Sequence, residues 1–480
     1  MMTIYDKFGL FVGGAWADSS SGEIPVYSPV TERVLGKVPT ADIALTQRVI
    51  SDAQAAFLVW SKTPVWERAT RLHKVADEMS SRSEEAARMI VLETGKPITQ
   101  AQREWSLAVD QFRWYAEEAR RVYGRIVETR VPNGEFSITR EPVGVVAAFT
   151  AWNFPAALVA RKVAPALAAG CSVILRPSNQ TPGVSMVLFD CLHSADLPSG
   201  TVNLLVGAAQ DIYSPIMESS VVRKVSLTGS TKVGQQMIRD SARTLKKVSM
   251  ELGGNAPMIL FEDGDISAAL DGCVAAKFAN AGQVCVTPDR FFIHEQHYKE
   301  FVEGFVDSAT KLRLGDGLDP ATDMGPLINE QRRTDISIKV AQALDSGAHL
   351  ECGGGPAEEF DTGYFYKPTV LTNVSDEMLV MAEENFGPIA AITSFSNEDS
   401  VIERANSSPM GLSAYAFTSD PARVRRIQSN LKAGMVGVNS FALAAAEVPF
   451  GGTKYSGMGR EGGIEGLSGY LDTKLTQWVM

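Results

Sequence analysis

The chain has 480 residues, of which 45% are apolar and 21% charged, and its formal net charge is −11. A chain of this length exceeds what one hydrophobic core usually supports, so we expect two or three domains of ordinary globular type. The negative charge argues against nucleic acid or an anionic membrane as a partner. No apolar run approaches the roughly 20 residues of a membrane span, and no export signal is visible near Met1, so we expect a cytoplasmic protein.

The front part of the chain carries three stretches in which apolar residues recur at helical spacing. We predict helices at Thr46 to Trp60, Glu67 to Leu92 and Thr99 to Tyr123. Together they form a helical front section.

The segment from Gly124 to Arg140 changes to alternating apolar spacing, which predicts a β-hairpin with a type I′ turn at Asn133-Gly134. An isolated two-stranded ribbon is marginally stable in water, so this hairpin needs a partner. A neighbouring subunit is the partner we expect, in a dimer or tetramer. The closing segment, Gly466 to Val479, is a candidate strand that returns to the hairpin.

From Val143 onward, short apolar runs alternate with helical stretches, as in a parallel, doubly wound sheet. A second unit of the same kind begins near Gly254. The sequence thus predicts an α/β fold with two doubly wound domains and a small β-hairpin element. The predicted strands and helices lie at 143–149, 158–169, 172–175, 181–193, 202–206, 224–227, 258–261, 289–293, 298–314 and 329–346.

The cysteines and histidines do not predict a metal site. The five cysteines are an odd number without close pairing, and no Cys-x-x-Cys is present, so we expect free thiols. His294 and His297 lack further ligands at metal-binding spacing, and we interpret them as surface polar residues.

Glu251 and Cys285 are the most informative pair in the chain. Glu251 begins Glu-Leu-Gly-Gly, and Cys285 ends Gly-Gln-Val-Cys 34 residues later. A thiolate adds readily to a carbonyl carbon, and a carboxylate then activates the water that releases the acyl group. The alternative is a buried structural thiol and a solvated surface charge. The small residues that flank both positions favour the catalytic interpretation.

These flanking residues resemble the aldehyde dehydrogenase superfamily, whose motifs appear here in the expected order from about Phe11 to the C-terminal segment. The resemblance implies an aldehyde dehydrogenase-like fold. In that fold 1–123 and 141–251 bind the cofactor, 252–448 form the catalytic domain, and 124–140 and 449–480 form an oligomerisation and bridging segment. The further motifs are Trp152-Asn153-Phe154-Pro155, Arg176-Pro177-Ser178, Thr228-Gly229-Ser230-Thr231, Glu383-Glu384-Asn385-Phe386-Gly387-Pro388 and Pro449-Phe450-Gly451-Gly452.

The resemblance also implies the chemical roles of four residues. Cys285 is the nucleophile, and the Asn153 side-chain amide and the Cys285 backbone N–H hold the oxyanion. Glu251 activates the water that releases the acid. Lys162 is similar to a lysine that assists proton handling in the family, and a surface lysine on an amphipathic helix is the equally weighted alternative.

A dinucleotide fingerprint, Gly-x-Gly-x-x-Gly, is missing, but the family uses a different phosphate-approach segment, which Gly229, Ser230 and Gly234 resemble. These residues follow a strand and open a helix whose amides can face a pyrophosphate; a simple helix-capping loop is the alternative.

By resemblance, Arg176, Ser178 and Asn179 lie near the adenosine ribose. Asn179 stands where relatives that prefer NAD often carry Glu, so both NAD and NADP are expected. The resemblance further implies cofactor contacts for Trp152, Leu252, Glu384 and Phe386.

The substrate features resemble the succinate-semialdehyde dehydrogenase branch, in which an arginine at the Arg161 position pairs with the far carboxylate of the substrate. Phe154 is a second expected substrate contact. Two positions depart from the pattern of that branch. Ala279 stands where some members have a second arginine, and Ala444 to Ala446 replace a serine-containing loop.

Four functions therefore remain open at this point. The first is a dehydrogenase of a short anionic aldehyde, with succinate semialdehyde ahead of glutarate, 2-oxoglutarate and sulfonated analogues. The others are a CoA-acylating enzyme, which Glu251 disfavours, a broad-range aldehyde dehydrogenase, which Arg161 disfavours, and a non-catalytic protein on the same fold.

Overall fold

The structure is a computed structural model that describes residues 4–17 and 21–480. Up to Glu251 the strands are β1 (Leu10–Val12), β2 (Ala15–Ala17), β3 (Glu23–Tyr27), β4 (Val34–Pro39), β5 (Arg125–Glu128), β6 (Gly134–Pro142), β7 (Val145–Phe149), β8 (Ser172–Arg176), β9 (Val202–Leu204), β10 (Val222–Thr228) and β11 (Lys247–Glu251). The helices of this part are α1 (Ile43–Trp60), α2 (Val65–Ser81), α3 (Ser83–Thr94), α4 (Ile98–Ala119), α5 (Ala157–Ala169), α6 (Pro182–His193), α7 (Ala209–Glu218) and α8 (Thr231–Ser241).

After Glu251 a second α/β unit is followed by a closing segment. The strands of the second unit are β12 (Ala256–Leu260), β13 (Pro288–His294), β14 (His349–Cys352), β15 (Thr369–Thr372), β16 (Ile389–Phe395), β17 (Ser413–Phe417) and β18 (Met435–Val438). Its helices are α9 (Ile266–Phe278), α10 (Glu295–Thr310), α11 (Glu330–Asp345), α12 (Leu379–Ala382), α13 (Glu398–Asn406) and α14 (Pro421–Asn430). The closing segment contains β19 (Gly457–Met458), α15 (Gly463–Ser468) and β20 (Leu471–Val479).

The first sheet has eight strands in the order β19-β11-β10-β7-β8-β9-β1-β2. The neighbouring strands from β11 to β9 pair in parallel. At one side β19 pairs antiparallel with β11, and at the other side β1 pairs antiparallel with β9. Every residue of β7 is buried, because helices cover both faces of the sheet. This confirms the parallel α/β pattern that the sequence predicts. The contribution of β19, from the closing segment, was not predicted.

The second sheet has seven strands in the order β14-β15-β16-β13-β12-β17-β18. It is parallel except for the antiparallel edge strand β14. Separate hydrophobic clusters surround the two sheets. The predicted fold class, two α/β units with a hairpin element, is therefore confirmed.

A third sheet has three strands in the order β20-β6-β5. β20 pairs with β6 along its whole length, from Leu471 opposite Pro142 to Val479 opposite Gly134. The prediction that the closing segment returns to the hairpin is correct. Several apolar side chains of this sheet, including Ile126 and Leu475, are exposed in the single chain.

The predicted helix from Glu67 to Leu92 is wrong as a single element, because the structure breaks it into α2 and α3 at Arg82. Arg82 adopts φ −104° and ψ 19°, and its guanidinium binds Glu85 and Asp190. The apolar spacing continues across this one-residue break, so the pattern does not reveal it. The third predicted helix also ends earlier, at Ala119.

The predicted type I′ turn is also wrong. Asn133 has a positive φ of 57°, but Gly134 does not, and Gly134 N donates to Val131 O across 3.1 Å. The central residues of the turn are thus Pro132 and Asn133, the arrangement of a type II turn. Proline fixes a negative φ at the first central position, which a type I′ turn cannot accept.

His294 is not the surface residue that the sequence suggested. It is 8% exposed, lies at the end of β13, and packs edge-on against Phe395 with ring centroids 5.3 Å apart. Among the described residues, no cluster of potential ligands could hold a metal ion. Within the same residues, no helix has the length and apolar character needed to cross a membrane.

Candidate active site

A cleft of about 400 Å³ lies where the first sheet meets the second unit. The segments after β7, β10 and β11 all open into it, because the carboxyl ends of parallel strands meet at one edge of a sheet. The cleft is lined by Leu107, Ala151, Trp152, Asn153, Phe154, Ala157, Leu158, Arg161, Thr228, Gly229, Ser230, Glu251, Leu252, Gly253, Val284, Cys285, Val286, Arg332, Glu384, Phe386, Ala444 and Phe450.

Cys285 lies in this cleft at the end of a tightly built loop. The loop follows α9 and passes through Asn280 and Ala281, both of which have positive φ angles of 49° and 54°. A Cβ on Gly282 would lie 2.1 Å from Gly387 O, and one on Gly254 would lie 2.2 Å from Cys285 O. The glycines that flank the nucleophile and base are therefore required for the approach of the two segments.

Gln283 anchors the same loop. Its Nε2 donates to Asn280 O at 3.0 Å, and its Oε1 accepts from Ile328 N at 2.9 Å. These contacts explain why a long amide precedes the nucleophile by two positions: it ties the loop to the chain ahead of α11.

The surroundings of Cys285 favour the neutral thiol. Burial raises the pKa of the Cys285 thiol to about 12, and the negative charges of Glu384 and Glu251 add to the rise. Arg161 and the backbone N–H of Cys285 oppose it. A thiol in this environment must lose its proton before it can act as a nucleophile.

Glu251 lies at the end of β11. Its side chain is 3% exposed, lines the cleft together with Cys285, and neither carboxylate oxygen has a hydrogen-bond partner within the described chain. Burial raises the pKa of the Glu251 carboxyl well above its ordinary value, and the nearby charge of Glu461 adds to it. An unpaired carboxyl group with a raised pKa, lying beside a thiol, has the arrangement of a general base.

Asn153 lies in the same cleft with one side of its amide engaged. Nδ2 donates to Gln283 O at 3.0 Å, while Oδ1 is buried without a partner. An amide nitrogen carries two protons, so one N–H remains for an oxygen in the cleft. The structure thus brings together Cys285, Glu251 and Asn153.

Lys162 does not line the cleft, and it is not a surface lysine. It is fully buried, forms an ion pair with Glu461, and donates to Ser226 Oγ at 3.2 Å. The surface alternative that the sequence left open is therefore wrong. The reason is that α5 is buried on all sides, so its polar residues face the interior as well.

Arg161, one residue earlier, does line the cleft. It is 7% exposed, and its guanidinium carbon lies 4.1 Å from the centroid of the Phe450 ring. None of the ion pairs among the described residues involves Arg161. A buried guanidinium without a carboxylate partner is a receptor for an anion that enters from outside.

Glu384 and Phe386 form another part of the cleft wall. Glu384 Oε1 accepts from Gly254 N at 2.8 Å, and burial raises the pKa of this carboxyl to about 7. A Cβ on Gly253 would lie 2.5 Å from Glu384 Oε2. Phe386 packs edge-on against Trp152, with ring centroids 5.5 Å apart. Phe154 also lines the cleft.

Gly229 and Ser230 lie at the start of α8 and line the cleft, as does Leu252. Ser230 caps the helix, with Oγ accepting from Val233 N at 3.4 Å. Gly234 lies outside the cleft lining, and a Cβ there would meet Leu252 Cδ2 at 2.5 Å. The absence of a side chain at Gly234 therefore allows α8 to pack against Leu252.

Arg176 and Asn179 form a separate cluster after β8. Arg176 Nη2 contacts Asn179 Oδ1 at 3.4 Å and Gly207 O at 3.3 Å, and Asn179 Nδ2 donates to Gly207 O at 3.0 Å. Ser178 Oγ accepts from Gln180 N at 3.2 Å and so shapes the turn. These three residues do not line the cleft around Cys285.

The residues present fit a dinucleotide. Thr228 Oγ1 and Arg176 Nε are buried without a partner in the described chain, and both lie at the carboxyl ends of parallel strands. The first amides of α8 have no acceptor within the helix, and its N-terminus faces the cleft through Gly229 and Ser230. Hydroxyl, guanidinium and helix amides are donors that suit phosphate and ribose oxygens.

Several cleft residues were not among the predicted site residues, and they include Leu107, Arg332 and Phe450. Arg332 Nη2 donates to Asn385 O at 2.9 Å and to Phe386 O at 3.2 Å, so it supports the wall that carries Glu384. Phe450 belongs to the Pro-Phe-Gly-Gly motif, but the motif alone does not predict that the Phe450 ring lies over Arg161. Leu107 and Arg332 lie in ordinary helical sequence and carry no signal.

Comparisons with known proteins identify the family of the chain. Residues 16–476 match the aldehyde dehydrogenase family. The chain is 42% identical to a 3-sulfolactaldehyde dehydrogenase of Pseudomonas putida, covering 97% of this chain and 95% of that protein. It is 39% identical to the NADP(+) succinate-semialdehyde dehydrogenase GabD of Escherichia coli, covering 96% of each chain.

A solved structure gives the same result for the fold. The succinate-semialdehyde dehydrogenase of Burkholderia pseudomallei superposes with a TM-score of 0.97 at 39% identity, covering 98% of both chains. The family match spans nearly the whole sequence. This chain belongs to the aldehyde dehydrogenase family.

Proposed function

We propose that the chain oxidises a short aldehyde with an anionic far end, succinate semialdehyde first among them, to the corresponding acid with NAD or NADP. The observation that carries this proposal is Arg161, a buried cleft guanidinium without a carboxylate partner in the described chain. A guanidinium can hold a carboxylate through two parallel hydrogen bonds. With the anion at Arg161, the aldehyde carbon of a short substrate reaches towards Cys285.

The reaction begins with the thiol. The Cys285 thiol loses its proton to solvent water, and the sulfur forms a bond to the aldehyde carbon. The second N–H of Asn153 and the Cys285 backbone N–H hold the oxygen, which becomes negative as the tetrahedral adduct forms. Donors already fixed in a buried cleft stabilise this charge without reorganisation.

A nicotinamide cofactor, when bound, would accept the hydride that the former aldehyde carbon gives up, and the acyl group then remains on Cys285 as a thioester. Glu251 then takes a proton from water, and the hydroxide attacks the thioester carbon. The carbon–sulfur bond breaks, and the acid leaves. The overall change consumes one aldehyde, one oxidised cofactor and one water, and gives the acid, the reduced cofactor and protons.

For the cofactor we propose the following assignments. The N-terminus of α8, with Gly229 and Ser230, faces the pyrophosphate, with Leu252 and Trp152 beside it, and Glu384 binds the nicotinamide ribose next to Phe386. Arg176, Ser178 and Asn179 lie towards the adenosine ribose, where one cation and no carboxylate permit both NAD and NADP. Lys162, paired with Glu461 near Glu251, assists proton transfer. On this basis the first sheet is the cofactor-binding domain and the second sheet the catalytic domain.

A sulfonated aldehyde is the second candidate substrate. The Pseudomonas putida relative named a 3-sulfolactaldehyde dehydrogenase is 42% identical to this chain. A sulfonate carries the same charge as a carboxylate and a third oxygen, and Ala444 leaves room in the cleft wall for it. Arg161 would bind either group.

A substrate screen tests the proposal. The purified enzyme is assayed with succinate semialdehyde, 3-sulfolactaldehyde, glutarate semialdehyde and butanal, each with NAD and NADP, with and without CoA. We expect the highest kcat/KM with an anionic four-carbon or sulfonated aldehyde and no dependence on CoA. Cys285→Ala is the inactive control and still binds cofactor. A preference for butanal, or turnover that needs CoA, contradicts the proposal.

A further inference from the structure

Lys96 and Glu104 form an ion pair inside the protein, behind the segment that carries Asn153. Lys96 Nζ lies 2.6 Å from Glu104 Oε2, and both side chains are 1% exposed. Neither residue lines the cleft. A buried ion pair is costly unless its remaining hydrogen-bonding positions are filled, so its other contacts define what it holds.

Lys96 holds the backbone of Asn153. Its Nζ donates to Asn153 O at 2.7 Å and lies 4.1 Å from the centroid of the Phe154 ring. Asn280 Nδ2 donates to the same carbonyl at 3.2 Å. The main-chain carbonyl of Asn153 is therefore gripped from two directions, which fixes the point from which its side chain projects into the cleft.

Glu104 binds the backbone of residues that follow Asn153 in the chain. Its Oε1 accepts from Ala156 N at 2.8 Å and from Ala157 N at 3.4 Å. Ala156, the residue just before α5, has no side chain that can cap a helix. Glu104 takes that capping role from a neighbouring helix. One carboxylate thus ties the start of α5 to Lys96 and, through it, to Asn153.

We propose that the Lys96–Glu104 pair is a positioning device that sets the Asn153 amide for the developing oxyanion. This inference rests on the proposed function, since it assigns the pair a role in that reaction. The pair does not touch the substrate. Its loss displaces Asn153 and weakens the stabilisation of the tetrahedral adduct, while binding at Arg161 and at the N-terminus of α8 stays intact.

The test uses Glu104→Gln, which preserves shape and one acceptor oxygen, and Lys96→Met. We expect kcat to fall about 10- to 100-fold while KM for the aldehyde changes less than about threefold, because a displacement near 1 Å costs about that much. Cofactor-free hydrolysis of p-nitrophenyl acetate forms the same oxyanion on Cys285, so it should fall in parallel. The Kd for NADP, from protein fluorescence, should stay unchanged.

A double-mutant cycle with Asn153→Ala separates positioning from general destabilisation. In the Asn153→Ala background, Glu104→Gln should lower kcat by a further factor of less than about three. The inference is overturned if the loss of kcat in the double variant equals the product of the two single losses. A wild-type kcat in both Lys96→Met and Glu104→Gln overturns it as well.

Glu93 provides the matched control. It is a buried glutamate that accepts from Gly183 N and Val184 N at the start of α6, away from the cleft. Glu93→Gln makes the same substitution in a carboxyl that caps a helix start, and it should leave kcat within about twofold of wild type. If Cys285→Ala and Asn153→Ala themselves retain activity, the proposed function fails; if only the Lys96 and Glu104 variants do, this inference alone fails.

Discussion

The guanidinium of Arg161 stacks on the ring of Phe450, with 4.1 Å between the guanidinium carbon and the ring centroid. The ring covers one face of the cation and leaves its N–H edge for a ligand. This contact joins α5 of the first unit to the loop that precedes β19. It holds a long, flexible side chain in one place, so a substrate anion meets a cation that is already oriented.

Arg161→Met should lower kcat/KM for succinate semialdehyde about 10- to 100-fold, the loss expected for a charged hydrogen bond of 1.5–3 kcal/mol. Methionine preserves the packing on Phe450. Butanal, which carries no anion, serves as the control substrate, since any effect on Cys285 itself lowers both rates. Equal losses for the two aldehydes would show that Arg161 does not select the anion.

Glu251→Gln should give one rapid burst of reduced cofactor per site, followed by turnover slowed about 100-fold or more, because acylation proceeds and deacylation lacks its base. Stopped-flow absorbance of NADPH measures both phases. Added small thiols should partly restore turnover by accepting the acyl group. Loss of the burst itself, with cofactor still bound, would place the main role of Glu251 in activating the thiol.

The pH dependence of deacylation should respond to Glu461. Its negative charge raises the pKa of the Glu251 carboxyl, on top of the effect of burial. Glu461→Gln removes that charge, which should lower the pKa of Glu251. Since Glu251 acts as a base only when deprotonated, the acidic limb of the kcat profile should move to lower pH.

A control for this shift lies on the same segment. Glu465 is exposed in α15 and is not among the charges that act on Glu251. Glu465→Gln should leave the acidic limb in place. A profile for Glu461→Gln that coincides with wild type, or moves to higher pH, contradicts the assignment of Glu251 as the titrating base.

The α/β order could be predicted because buried parallel strands such as β7 are continuous apolar runs between helices. The elements that were missed have no such pattern. β19 is two residues long, and the break at Arg82 leaves the apolar spacing intact. The hairpin turn was misjudged because Pro132 and Asn133, not Asn133 and Gly134, take its central positions.

At the site, short motifs located Cys285, Glu251 and Asn153, and the structure brings all three to one cleft. Lys162 was open to two interpretations because a helix with few charges can be amphipathic or entirely buried. Arg332 and Leu107 come from unremarkable helical sequence, and only the packing of distant segments brings them to the cleft. The same holds for Lys96 and Glu104, whose partnership crosses from one helix to the next.

The three-stranded sheet predicts assembly with a second copy. Paired residues of adjacent strands share a face, so Val127, Phe136, Ile138, Leu475 and Val479 lie on one side. Leu475 is 62% and Val479 55% exposed in the single chain. A narrow sheet with an apolar face needs cover. We expect a dimer or tetramer by light scattering at micromolar concentration.

Leu475→Glu places a charge on that apolar face and should weaken assembly at least about 10-fold, or about 1.4 kcal/mol. Thr476→Glu adds the same charge to the next, exposed position, on the opposite face, and is the matched control. A monomeric wild type, or equal effects of the two variants, would refute assembly through this face.

The last prediction concerns the choice between NAD and NADP. Asn179 accepts from Arg176 and from the Gly207 N–H, and it carries no charge. A 2′-phosphate in this region meets one cation and no carboxylate, so we expect neither cofactor to be excluded. Asn179→Glu introduces a carboxylate that pairs with Arg176 and repels the phosphate, which should shift preference towards NAD.

Measurement of kcat/KM for both cofactors, with Asn179→Gln as the uncharged control of equal length, tests this directly. The glutamate variant should lose NADP activity by about 10-fold or more relative to the glutamine variant, since like charges at short range cost over 1.4 kcal/mol. A wild type that already rejects NADP more than about a thousandfold, or roughly 4 kcal/mol, requires another group to guard the ribose. In that case Asn179 does not determine the preference, and Arg176 serves only to hold Gly207.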